Sequence, residues 1–325
     1  MSVINKMFEI CGRSTCQALA WIGRQGTRAI AAIAFIAIAI PPIGALLKPY
    51  VSESIFLLLF TAFLRVDMEQ LRGHLKRPAV LIAGTAWTAL AVPVLFGLIC
   101  AAGKIEILAP ELFIALMLQA VASPIMSSPA FAMLMGLDAT LVLATLVTTA
   151  AVTPFTAALL VSVTGLDLSL SPIDLGLKLF TIVAGSATLA GIVRKLVGLA
   201  AITHRNKEID GFNIILLFVF VAAIMENVGA QFLERPLVMI GLTALAFAVF
   251  LTILLVTSVA FIWAGRKNAL ALGFMSSQRN MGLMLAATGG VVPELAWLYF
   301  AIAQFPIFLS PYMFARPVKW AISQK

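Results

Sequence analysis

The stretch Ser276-Ser277-Gln278-Arg279-Asn280-Met281-Gly282 interrupts an apolar run that begins near Asn268 and resumes at Leu283. It sets a guanidinium at membrane depth, where a lone cation costs about 2.5 to 3.5 kcal/mol on insertion scales. A second interruption, Ser123-Pro124-Ile125-Met126-Ser127-Ser128-Pro129, lies 276 − 123 = 153 residues earlier. Two broken membrane helices at corresponding places in two halves of a chain point to the binding site of a secondary transporter.

The composition agrees with a membrane setting. Of the 325 residues, 62% are hydrophobic and 11% charged, and the mean hydropathy is +1.07, whereas a soluble domain carries about 25% charged residues. At about 20 to 25 residues per crossing the chain holds roughly ten spans, with no room for a soluble catalytic domain. The net charge of +8 suggests no nucleic acid, because the basic residues are sorted by loop. All but Lys48, Lys104, Lys178, Arg235 and Arg279 of the 22 Lys and Arg fall in alternate loops or at the ends. The positive-inside rule then sets both termini in the cytoplasm of a multi-pass protein of the plasma (bacterial inner) membrane. Cys11, Cys16 and Cys100 read as ordinary thiols, without the spacing of a metal site.

Spans are expected at 29–47, 51–66, 78–102, 109–135, 139–163, 175–197, 211–230, 236–264, 268–290 and 294–314. The expected fold is all-α: ten transmembrane helices in two five-helix repeats, with helices 4 and 9 broken and crossing. Five spans per half start the second half on the opposite side, so the repeat is inverted. Residues 29–163 and 175–314 form the repeats and 164–174 the connecting loop. Residues 1–28 form a cytoplasmic segment carrying an interfacial helix within 5–27, and 315–325 a cytoplasmic tail. Pro154 and Pro306 are separated by 306 − 154 = 152 residues, matching the offset of the breaks to within one.

Irregular backbone survives in a bilayer only where protein or a wet cavity satisfies its peptide groups. Ser128 before Pro129 reads as a helix start, with the hydroxyl as N-cap and proline at the first helical position. Asn280 before Met281 caps in the same way. Each break then offers a half-helix N-terminus suited to an anion and a C-terminus suited to a cation. Arg279 has three readings. It receives a solute anion, or it is a fixed cation whose N–H groups satisfy the carbonyl ends of the broken helices, or it pairs with Glu226 or Asp67. The substrate-binding set is Ser123, Pro124, Ser127, Ser128, Thr148, Thr149, Ser276, Ser277, Gln278, Arg279, Asn280 and Gln304. For the span 5 threonines the plainer reading is a bond to the i−4 carbonyl. Gly185, Ser186, Ala187 and Gly191 read as helix packing.

The ordering Ser123-Pro124, Ser128-Pro129-Ala130-Phe131, Gly136-Leu137-Asp138, then Gln278-Arg279-Asn280-Met281-Gly282-Leu283 and Gln304-Phe305-Pro306 resembles the bile acid:sodium symporter superfamily over essentially the whole chain. The resemblance implies a panel of spans 1, 2, 6 and 7 rocking against a core of spans 3–5 and 8–10. It also implies sodium-coupled uptake of organic anions such as bile acids, keto acids or pantothenate. The chain departs from that pattern: aligned on Gly282-Leu283, Met275 and Arg279 stand where sodium-coupled members carry an acidic residue and a glutamine. A guanidinium opposes a neighbouring cation, so sodium coupling is not expected, and no other cofactor or metal is.

The expected function is alternating-access transport of a small, anionic organic solute by a monomer in membrane lipid. Sodium-coupled symport, and a channel or sensor on the same fold, are the alternatives. An enzyme is not expected, because His74 and His204 lie in loops and no span carries paired carboxylates.

Overall fold

A computed structural model describes residues 13–25, 40–66, 78–166, 168 and 170–323. Among the described residues the regular structure is helical, apart from one isolated β-bridge. Seven helices are long and apolar enough to cross a membrane: Pro42–Leu64, Pro78–Ala102, Ala139–Thr164, Pro172–Val197, Asn206–Glu234, Pro236–Ala260 and Glu294–Ser323. The protein is a polytopic all-α membrane protein. Large apolar side chains such as Leu98, Ile99, Leu237 and Val259 remain exposed on these helices, as befits surfaces that face lipid rather than water.

Prolines open several helices, where the absent N–H costs nothing: Pro110 and Pro236 each follow their N-cap residue. Pro41 and Pro42 do the same, and this corrects the expected boundary between the first two spans. The chain is helical from Pro41 to Leu47, tightens to a 3₁₀ turn at Lys48–Tyr50 and continues as Val51–Leu64. Residues 41–47 thus begin the second expected crossing rather than end the first. Residues 29–39 of the first expected span lie outside the described residues, as do Cys11, Asp67 and His74. At the other end the helix Gln304–Ser323 passes residue 314, the expected end of the last span. Its interior prolines, Pro311 and Pro317, do not terminate it.

The chain divides into two compact units. The first comprises Met1–Arg65 and Val183–Gly229. Its helix Asn206–Ile224 runs antiparallel to 41–64. Lys48 Nζ pairs with Glu226 Oε2 at 3.0 Å at one end, and Arg65 Nη1 with Asp210 Oδ1 at 2.7 Å at the other. Between them Thr61 Oγ1 donates to Asn213 Oδ1 at 2.5 Å. Gly44 lets the backbones approach, since a Cβ there would lie 2.5 Å from the Ala222 carbonyl oxygen. Within residues 5–27, where an interfacial helix is expected, Arg13–Gln25 is helical. One face packs on Asn206–Ile224, where a Cβ at Gly211 would collide with the Leu19 backbone. Gly185 approaches the Phe56 ring as expected of a packing residue, but Gly191 has nothing near its missing Cβ.

The second unit comprises Val66–Ile182 and Ala230–Lys325. Phe131, Leu146, Phe250, Phe274 and Met275 are among the residues of its apolar core. The helix Ala139–Thr164 is capped by Asp138, whose carboxylate accepts from Thr140 N and Leu141 N at 3.1 and 3.0 Å. It ends at Gly165, whose φ of +61° suits a residue without a Cβ. Two further apolar stretches are interrupted helices. Pro110–Val121 is followed by Ser128–Leu134, and Arg266–Ser277 by Met281–Ala287.

Candidate functional site

The first break opens at Ala122, which leaves the helix Pro110–Val121 with extended φ and ψ of −63° and 142°. The second opens at Gln278, with φ and ψ of −86° and 78°. Both free peptide groups that the bilayer cannot satisfy. The two stretches satisfy each other. Pro124 lies opposite Arg279 in an antiparallel bridge. Ile125 N donates to Gln278 O at 2.7 Å, and Asn280 N to Ser123 O at 2.8 Å.

The helix restarts differ. Asn280 accepts from Leu283 N at 3.0 Å, a side-chain N-cap of the kind expected of it. Ser128 does not cap as expected. The helix begins at Ser128 itself, and its hydroxyl donates backward to Ile125 O at 2.7 Å. Pro129 still lies in the first turn, where the missing N–H has no helical partner to lose.

Arg279 is 1% exposed. Its Nη1 donates to Ala122 O at 2.8 Å and to Thr88 O at 3.1 Å. The first acceptor is a carbonyl at the negative end of a half-helix. The second has a local cause. Residues Trp87–Ala91 form a π turn in which Val92 N reaches Trp87 O. The next bond in that register would run from residue 93 to Thr88, and Pro93 has no N–H. Thr88 O is thereby left for the guanidinium, while Thr88 Oγ1 and Ser276 Oγ lie 2.9 Å apart in a hydroxyl pair.

Gln278 uses the same device. Its Nε2 donates to Ser310 Oγ at 2.7 Å and to Ile307 O at 3.4 Å, and Ser310 Oγ donates to Ile307 O at 2.7 Å. Pro311 cannot return the i−4 bond to Ile307. Gln278 and Arg279 therefore each dock on a carbonyl that a proline has released in another helix.

The other expected site residues divide in two. Ser123 Oγ, Ser127 Oγ, Thr149 Oγ1 and Gln278 Oε1 are buried without a hydrogen bond to any described residue. Ser277 Oγ donates to Phe274 O in its own helix, and Gln304 Nε2 to Phe300 O. Thr148 Oγ1 lies 2.6 Å from Thr85 Oγ1 and also reaches Ala144 O at 3.1 Å. Of the two carboxylates that the third reading offered Arg279, Glu226 is engaged by Lys48 and Asp67 lies outside the described residues, while Arg279 Nη1 donates to carbonyls. Sequence reasoning missed Thr88, Ser310 and the buried bond from Tyr299 Oη to Gln119 Oε1 at 2.5 Å. Pro93 and Pro311 are the signals that could have found the first two.

Residues 54–235, more than half of the chain, match the model of the Sodium Bile acid symporter family, a family of membrane transporters of organic solutes. No curated protein matches the chain.

Proposed function

We propose, from the premise that the chain belongs to the sodium bile acid symporter family and is a transporter rather than an enzyme, that it carries a small organic anion without sodium. Arg279 is the tethered cation of the site. The observation that carries this reading is the pair of bonds from Arg279 Nη1 to Ala122 O and Thr88 O. A guanidinium held on those carbonyls occupies their lone pairs with fixed positive charge, and it repels a second cation in the same place. A covalently attached cation stays behind when the solute leaves, so it couples no ion gradient to the flux.

The same reading keeps the expected ten crossings in two inverted repeats, of which the described residues include seven long helices and two broken ones. The first unit is the panel and the second the core, moving relative to one another in alternating access. Both termini are cytoplasmic and the protein is a monomer. In support, Arg65, Arg205 and Lys207 share the helix-pair end that carries Asp210, and Lys48 with Glu226 the opposite end.

Labelled cholate flux into proteoliposomes, with and without an inward sodium gradient, tests this. Wild-type flux is expected to ignore the gradient, and Arg279→Gln, which keeps a donor but loses the charge, to slow it roughly tenfold or more. Flux that follows sodium in the wild type, or an Arg279→Gln protein with unchanged flux and ion dependence, overturns the proposal.

A further inference from the structure

A guanidinium carries five N–H donors in a rigid plane, and in Arg279 the protein uses one side of that plane only. Both hydrogens of Nη1 are committed, to Ala122 O and Thr88 O. Two bonds from one nitrogen fix the plane and its rotation. Nε and Nη2 are buried and make no hydrogen bond to any described protein atom. These two nitrogens form the edge whose parallel N–H groups match the two oxygens of a carboxylate. Unpaired donors on a buried charge are costly, so this edge calls for an acceptor.

Among the described residues no acceptor faces this edge, and Arg279 is the single charged residue of those that are buried. The counter-charge therefore arrives with a ligand. Its size follows from neutrality. Ser123 and Gln278, which flank the bridge at Arg279 and whose buried polar atoms also lack partners, are uncharged, so no second cation balances a second negative charge. A monocarboxylate leaves the site neutral, whereas a dicarboxylate buries a net negative charge.

We infer that the Nε–Nη2 edge of Arg279 is the receptor for the carboxylate of the transported solute and that the solute carries a single carboxylate. This rests on the carrier reading above. Lysine does not substitute for arginine there, because an ammonium offers a point charge without the two-pronged edge.

Thermal unfolding of the purified protein in choline buffer, with cholate, pyruvate and pantothenate as monocarboxylate probes, tests the inference. Each probe is compared with its neutral amide and with succinate. At least one monocarboxylate is expected to raise Tm by several degrees, with its amide and succinate ineffective. Arg279→Lys is expected to weaken that probe roughly tenfold or more. Stabilisation by none of the three in either choline or sodium buffer, equal stabilisation by an amide or by succinate, or undiminished binding in Arg279→Lys overturns it. The amide comparison is made on the wild type and stands even if the variant does not fold. A repeat in sodium buffer separates the two claims. Binding of a monocarboxylate only with sodium sinks the sodium-free carrier, whereas sodium-independent binding of an amide sinks the carboxylate receptor alone.

Discussion

At residues 122–127 the interruption is made of backbone: carbonyls of Ala122 and Ser123 accept from elsewhere, and the hydroxyls of Ser123 and Ser127 bond nothing among the described residues. At residues 278–280 it is made of side chains. Gln278 and Arg279 reach carbonyls in other helices, and Asn280 caps the helix that follows. The bridge between Pro124 and Arg279 is common to both, so the difference lies in which stretch supplies donors. One break is completed by the other. A helix C-terminus in lipid needs donors from outside itself, and the second break provides them to the first through one guanidinium.

Replacing Pro93 strikes at that division of labour most directly. An N–H at position 93 competes with Arg279 for the Thr88 carbonyl. Pro93→Ala is expected to weaken monocarboxylate binding roughly tenfold by loosening the guanidinium, while Tm holds or rises. Titration of the thermal shift reads both quantities, and undiminished affinity would separate the π turn from the site.

Asn280→Ala removes a working cap and is expected to cost about 1 kcal/mol of stability. A lower midpoint in thermal unfolding checks it. Ser127→Ala completes the contrast from the other break. Its hydroxyl caps nothing, so the change in stability is expected to stay within about 0.5 kcal/mol. If the serine variant lost as much as the asparagine variant, the two breaks would be equivalent after all.

Much of the site was legible because a polar interruption in an apolar chain is a local event. Asn280 before Met281 announces its cap within four residues, as any N-cap does. Ser128 looked like the same signal and behaved otherwise, because the helix includes the serine and turns its hydroxyl back to Ile125. Gln304 and Ser277 look as polar as Gln278, yet both spend their donors on their own helices. Side-chain type does not distinguish these cases. The nearest free carbonyl does.

Span composition, the all-helical class and the two breaks follow from sequence, because lipid forces every backbone bond to be local and every exception to be visible locally. The acceptors of Arg279 lie 157 and 191 residues away along the chain. Only folding brings the Pro93 turn, the Ala122 end and the guanidinium to one point. Pro41 shows the same limit at a boundary: proline both interrupts and opens helices, and packing against Asn206–Ile224 shows which it does here. What tertiary structure decided was the pairing of freed groups, a long-range choice among many equally polar candidates.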